Sequence, residues 1–277
     1  MTRLAVTSAV CLGPWNGRQC DEASGSGGEA EPLPVPPVPG FVESRFNPLV
    51  HAAVKELFDR GAYRAGERTA LVLGSLFGDA ETNDLASRLL IRGQPDNALL
   101  FYQSVMNSIV GFLARETGIA GTTLVVTAYR GLTSVLLEQA DLLLASGDAD
   151  QVVLVGAEIA GSAKSDEVWL RAGRDGRPHE PLADIAAAAV VERAELAAAE
   201  GRPILAIVEA SGACGAGSAP AAEQPPRLGG IQGLAGLAEA LSRLTDGGDA
   251  AQPVVIRDYS MGGYADVIRV VRPGSSD

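Results

Sequence analysis

The order of elements along the chain predicts an α/β fold built in layers. Three observations carry this. Short β-branched apolar runs alternate with segments of helical period. Residues 151–155 (QVVLV) are apolar throughout, as expected of a strand covered on both faces. Residues 131–145 are apolar on most of their circumference, as expected of a buried helix.

Residues 4–12 read as the first strand. Residues 21–40 (DEASGSGGEAEPLPVPPVPG) run from Gly, Ser and Glu into prolines, a composition that predicts a flexible loop with an extended tail. Over residues 48–60, Leu49, Val50, Ala53, Val54, Leu57 and Phe58 share one helical face. Residues 68–73 (RTALVL) form a buried strand ended by Gly74, and residues 83–91 a short amphipathic helix with Asp84 near its positive end. Residues 99–116 carry helical spacing interrupted by Ser104, Ser108 and Gly111. The strand at residues 122–127 (TTLVVT) is β-branched. After the buried helix and the strand at 151–155 come a small apolar run at 183–191, a helix at 193–200 and a strand at 203–209 (PILAIVE). A linker of Ala, Gly and Pro at 215–227 leads to a last helix at 233–244 and strands at 254–256 and 267–271.

Composition removes several functions. The chain has 277 residues, 47% of them hydrophobic, with 22 Lys and Arg against 34 Asp and Glu, a net charge of −12. So acidic a chain is unsuited to a phosphate backbone, and no nucleic-acid partner is expected. Cys11, Cys20 and Cys214 lack metal-ligand spacing and the histidines are His51 and His179 alone, so neither a zinc site nor a disulfide framework is expected, and the metal set is empty. Cys11 and Cys20 read as ordinary thiols. There is no G-x-x-x-x-G-K-[ST] and no G-x-S-x-G, and neither Gly74 with Gly78 nor the loop at 261–263 composes a dinucleotide fingerprint, so no cofactor is expected. No apolar stretch approaches the ~20 residues of a membrane span. Residues 2–13 place a lone Arg before a short apolar run, as a signal peptide does, but strong hydrophobes are few and Val10 suits a cleavage site poorly; a strand and a cytoplasmic protein are expected.

Five stretches, in order, resemble the β-ketoacyl synthases of the thiolase-like fold. MNSIVGFLARETGIAG (106–121) is similar to the family's Asn, then Gly, then helix ending in G-x-x-G. Residues 122–158 are similar to the strand, nucleophile turn, buried helix and D-x-x-L-V-G-G-x-E strand that follow, and 186–212 to the crossing strand and the segment after it. LGGIQGLAGLAEAL resembles the G-H-x-x-x-A-A-G helix, and SMGGYADVIRVV the Gly-rich loop and final strand. The resemblance implies a layered α-β-α-β-α fold with a truncated C-terminal half: residues 1–214 as the N-terminal half, 215–227 as a linker and 228–277 as the remnant, together one compact domain.

The departures carry the functional expectation. The resemblance implies a nucleophilic Cys at the start of the buried helix, where amides lower its pKa. Tyr129 stands there, a phenol ionised to about one part in a thousand at neutral pH. A catalytic His of the G-H motif corresponds to Gly230, and the linker at 215–227 leaves no room for the H-G-T-G-T stretch that holds the other. The resemblance therefore implies no condensation by this chain alone.

A silent synthase implies a partner. In type II polyketide systems that silent subunit is the chain length factor, which completes the acyl tunnel of an active ketosynthase; the shortened C-terminal half is similar to those of highly reducing systems making polyenes, aryl polyenes included. The strand that would pair across the two-fold axis is Thr122, Thr123, Leu124, Val125, Val126 and Thr127. Bulky residues before it, Tyr102, Met106, Ile109 and Phe112, with Phe101 beside them, are candidates to block the tunnel at the seam, or else fill this subunit's core. Tyr129 either plugs the vanished active site or contacts substrate or partner. Many chain length factors have Gln at its position, and no role of that Gln transfers to Tyr129. The charge of −12 directs an acidic acyl carrier protein mainly to the ketosynthase. The alternatives are a stand-alone acyl-handling enzyme, a thioesterase or acyltransferase, and a structural homodimer.

Overall fold

Every strand joins a single sheet among the described residues, which are 3–13, 34–94, 98–129, 131–161, 163–172, 183–209, 229–245, 254–259 and 265–273 of a computed structural model. The strands are β1 (Leu4–Leu12), β2 (Thr69–Gly74), β3 (Thr123–Val126), β4 (Gln151–Glu158), β5 (Ile185–Arg193), β6 (Ala206–Glu209), β7 (Val254–Tyr259) and β8 (Ala265–Val271), in the spatial order β3-β2-β4-β5-β1-β6-β8-β7. The strand β2 runs parallel to both β3 and β4, whereas β5 lies antiparallel between β4 and β1. An antiparallel extension, β6-β8-β7, is joined to the edge of β1. Residues 4–12, in which a signal peptide was the competing possibility, are thus an interior strand paired on both sides.

The helices are α1 (Phe46–Asp59), α2 (Ala80–Ile91), α3 (Ala98–Ser104), α4 (Met106–Thr117), α5 (Leu132–Ser146), α6 (Ala163–Ala172), α7 (Ala194–Ala199) and α8 (Gln232–Thr245). They cover both faces. Leu136, Leu137, Ala140 and Leu144 of α5 and Leu234, Leu237 and Leu241 of α8 pack with Val72, Val152, Leu154, Ala187 and Ala189. Leu49, Val50, Val54 and Leu57 of α1 and Ile109 and Leu113 of α4 pack on the other face with Leu71, Leu73, Val153, Val155, Ala186 and Ala188. The two-residue alternation of β4 and β5 between these cores is what a strand covered on both sides requires. It also explains the alanines of β5, which leave room for helices on each side. A Cβ at Gly156 would stand 2.6 Å from Cγ2 of Ile231, and one at Gly74 would stand 2.8 Å from Cδ1 of Leu136, so those helices rest nearly on the sheet backbone.

Three expectations are corrected. Residues 99–116 are two helices, not one, broken at Val105, whose backbone is extended at φ −94° and ψ 116°. The carbonyl of Gln103 accepts from Nδ2 of Asn47 (2.7 Å) and that of Phe101 from the hydroxyl of Ser104 (2.9 Å), so side chains replace the helical amides. The helix expected from residue 83 starts at Ala80, because Asp79 caps it by accepting from the amide of Thr82 (3.1 Å), while Asp84 pairs with Arg88 one turn on. Burial raises the pKa of Asp79, against the bonds it accepts from Ser44 and Thr82. The tail of the Pro-rich segment is anchored rather than free: Val38 is buried, and the amide of Phe41 donates to its carbonyl (3.0 Å); residues 21–33 and the linker 215–227 lie outside the described residues. The helix α6 was not foreseen, its sequence (AKSDEVWLRA) being short and polar on average.

A buried polar network crosses three strands. Glu192 of β5 is wholly buried, pairs with Arg202, and accepts from Nε2 of Gln151 (2.6 Å) on β4 and from the hydroxyl of Thr7 (3.3 Å), which sits at a bulge in β1. Removing one member leaves the others desolvated and unpaired. Glu192→Ala is expected to lower the unfolding free energy by about 3–5 kcal/mol in urea titrations, and Glu192→Leu with Arg202→Met to recover most of it.

Candidate functional site

The turn after β3 is the site the sequence singles out. Thr127, Ala128 and Tyr129 lead to Gly131, whose left-handed backbone (φ 47°) lets the chain reverse into α5. The turn is tied to the end of β2: the hydroxyl of Thr127 donates to the carbonyl of Ser75 (3.0 Å), and the amide of Ser75 to that of Val126 (3.2 Å). Tyr129 stands 63% exposed, so it does not plug the interior of this chain; its ring is presented outward at the tip of the turn.

Gly131 has no side chain with which to cap α5. The cap comes from far along the chain: Asp258 of β7, wholly buried, accepts from the amide of Ser134 (2.8 Å). A carboxylate so placed satisfies the positive end of the buried helix, the end at which a synthase of the resembling type would keep its nucleophile. Gly233 makes this approach possible, since a Cβ there would lie 2.6 Å from Oδ1 of Asp258 and 2.7 Å from Oγ1 of Thr133.

Gly230, at the expected His position, is buried beneath the turn. A Cβ there would come within 2.9 Å of Oε1 of Glu158 and 3.1 Å of Cβ of Leu76, which leaves no space for an imidazole. Glu158 itself, at the end of β4, accepts from the amide of Leu76 (2.7 Å). Burial pushes its pKa up to about 8, against the lowering effect of the bonds from Leu76 and Ser75. It is therefore a neutral acid at pH 7 that holds the β2 and β4 ends together. His51 lies elsewhere, with Nε2 2.6 Å from Oε2 of Glu116 and its ring 5.9 Å from that of Phe112; His179, Cys20 and Cys214 fall outside the described residues.

The candidate tunnel residues separate. Ile109 is fully buried in the core between α4 and the sheet, so it is a core residue and not a tunnel wall. Phe112 meets Phe41 edge to face (5.7 Å) and Tyr102 meets Phe41 from α3 (5.5 Å), because the break at Val105 turns Tyr102 away from the α4 face. Met106 alone of the set lines a cleft of about 400 Å³ between α2, the α3–α4 joint and α6, with Phe77, Gly78, Asn83, Val105 and Val168. Gly78 is required there: its φ is +58°, and a Cβ would stand 2.9 Å from Sδ of Met106. The expected pairing strand, residues 122–127, contains β3 at one end of the sheet, bonded to β2 alone among the described residues. Asp258, Phe41 and Val168 were not anticipated, since each reaches the site from an element remote in sequence; Glu158 was visible only as part of a motif.

No protein-family model and no curated protein sequence matches the chain. Solved structures do. The ishigamide ketosynthase/chain length factor aligns over 98% of this chain and 100% of that one, at 20% identity and a TM-score of 0.72. A ketosynthase (ApeO) in complex with its chain length factor (ApeC) from Xenorhabdus doucetiae aligns over 98% and 100%, at 18% identity and a TM-score of 0.66. The complex AntDE:AntF, a type II polyketide acyl-carrier protein with its ketosynthase bound to the hexaketide, aligns over 98% and 99%, at 13% identity and a TM-score of 0.74. The fold is that of a ketosynthase.

Within this fold the turn after β3 carries the exposed phenol of Tyr129, and Gly230 is packed against Glu158, Leu76 and Leu132. Among the described residues no group of three or more His, Cys, Asp or Glu is placed to hold a metal ion, and no helix is long and apolar enough to cross a membrane.

Two outcomes test this geometry. Gly230→Ala is expected to cost about 1–3 kcal/mol of stability by overpacking, read by thermal or urea unfolding. Because the acid form of Glu158 persists in the fold to about pH 8 while the unfolded chain releases its proton near 4.5, the folded state binds more protons over that window and loses stability as pH rises through it. Glu158→Gln keeps an acceptor for Leu76 and is expected to flatten that loss, which is on the order of 4 kcal/mol, in urea titrations at pH 5 and pH 8.

Proposed function

We propose that this chain is a non-catalytic subunit of the chain-length-factor type, which pairs with a ketosynthase in type II polyketide biosynthesis and bounds the acyl or polyene chain that its partner extends. The observation that carries the proposal is Tyr129, an exposed phenol at the turn where the resemblance places a nucleophile, together with Gly230, whose packing against Glu158 and Leu76 leaves no room for a catalytic His. A phenol neither forms a thiolate nor relays a thioester at neutral pH. The chain therefore serves the partner's chemistry instead of performing its own, in the cytoplasm, with the acidic acyl carrier protein recruited mainly by the ketosynthase. The shortened C-terminal portion suits the highly reducing, polyene-making systems. In this arrangement residues 1–214 are the ketosynthase-like half, 215–227 a linker and 228–277 the remnant of the second half.

Two features support the pairing and the length control. The edge position of β3 offers a ladder that is unpaired among the described residues to a partner strand. The exposed ring of Tyr129 at the adjoining turn, with Tyr102 half-exposed on α3, would lie at the resulting seam. The cleft beside Met106 then receives the far end of the growing chain. Each buried methylene contributes about 0.8 kcal/mol, so growth stops where bulk fills the space, and Met106 is the adjustable side chain there.

Co-expression with a ketosynthase, followed by size-exclusion chromatography and carrier-protein elongation assays, tests this directly. A one-to-one complex that elongates only when both chains are present is expected. Met106→Ala should lengthen the main product by at least one extension unit, and Met106→Trp should shorten it. Elongation by the ketosynthase without this chain, or condensation by this chain alone, would overturn the proposal.

A further inference from the structure

Half of the large hydrophobic side chains exposed among the described residues belong to two adjacent helices. Leu85, Leu90 and Ile91 lie on α2, and Leu99, Phe101 and Tyr102 on α3. Ile91 is 85% and Phe101 73% exposed. Single exposed hydrophobes are ordinary, but a group of this kind on packed neighbours marks a surface that another body covers.

The position of the group says which body. The helix α2 packs on α3, α3 on α4, and α4 beside β3, so the helices that carry the group lead to the open edge of the sheet. Of the charges on these helices, Glu81 pairs with Arg45 (2.8 Å) and Asp84 with Arg88. Residues 80–104 carry Arg88 and Arg92 against Glu81, Asp84 and Asp96, so they offer no basic cluster to an acidic carrier protein. Aromatic and aliphatic anchors rimmed by paired charges have the composition of a subunit interface.

We propose that α2 and α3 form a hydrophobic arm that docks on the partner ketosynthase beside the β3 seam, with Ile91 and Phe101 as its anchors. The occupant rests on the pairing proposed above; the arm itself follows from its exposure and its continuity with the sheet edge. Both anchors are on the surface, so charged substitutions there leave the fold intact, which circular dichroism and thermal unfolding of each variant verify.

The test is affinity for the co-expressed ketosynthase, titrated with purified wild type, Ile91→Asp, Phe101→Asp and, at the opposite end of the sheet, Val255→Asp. Each arm variant is expected to weaken binding at least tenfold, with Val255→Asp unchanged. If the wild type pairs and both arm variants pair equally well, the arm is wrong and the pairing stands. If the wild type does not pair with a ketosynthase, the functional proposal falls. Self-association of the wild type that Phe101→Asp abolishes, without ketosynthase binding, would overturn the assignment of the occupant in favour of a second copy of this chain.

Discussion

The arrangement depends on how closely two helices approach the sheet. At Gly156 and Gly74 a single added carbon would collide with Ile231 and Leu136, and at Gly230 and Gly233 it would collide with Glu158 and Asp258. These four positions let α5 and the start of α8 lie almost on backbone. That contact sets the height of the turn bearing Tyr129, closes the space beneath it and brings the C-terminal strand β7 within reach of the start of α5. Interiors packed at crystal density transmit such constraints, because there is no slack to absorb a methyl group.

The buried carboxylates follow from the same closeness, and each is accommodated differently. Asp258 is held at a helix N-terminus, where backbone amides favour its charge. Glu192 keeps Arg202 and Gln151 as partners. Glu158 has amide and hydroxyl donors, but burial outweighs them and it holds its proton to about pH 8.

Everything adjustable lies on one side. The open edge of β3, the outward ring of Tyr129, the cleft at Met106 and the exposed apolar side chains of α2 and α3 all follow from the segment between residues 75 and 130. The rest of the chain is occupied in supporting it: β5 and β1 anchor the sheet's middle, and β6, β8 and β7 widen it so that α8 has a floor.

The sequence by itself determined the strands and helices with strong periodicity and the covered sheet, because alternating apolar residues are local facts. It reached the position of Gly230 through a resemblance, yet the reason a side chain is excluded there came from the facing Glu158. Tertiary structure decided the rest. Met106 and Ile109 sit three residues apart on one helix, and only the surroundings of α4 make one a cleft wall and the other core. The long helix expected through Val105 was split by a hydrogen bond from Asn47, more than fifty residues away, and α5 received its cap from Asp258 across 124 residues. Interactions of such range leave no periodicity or spacing in the sequence, since the partner is chosen by where the chain returns and not by what stands beside it.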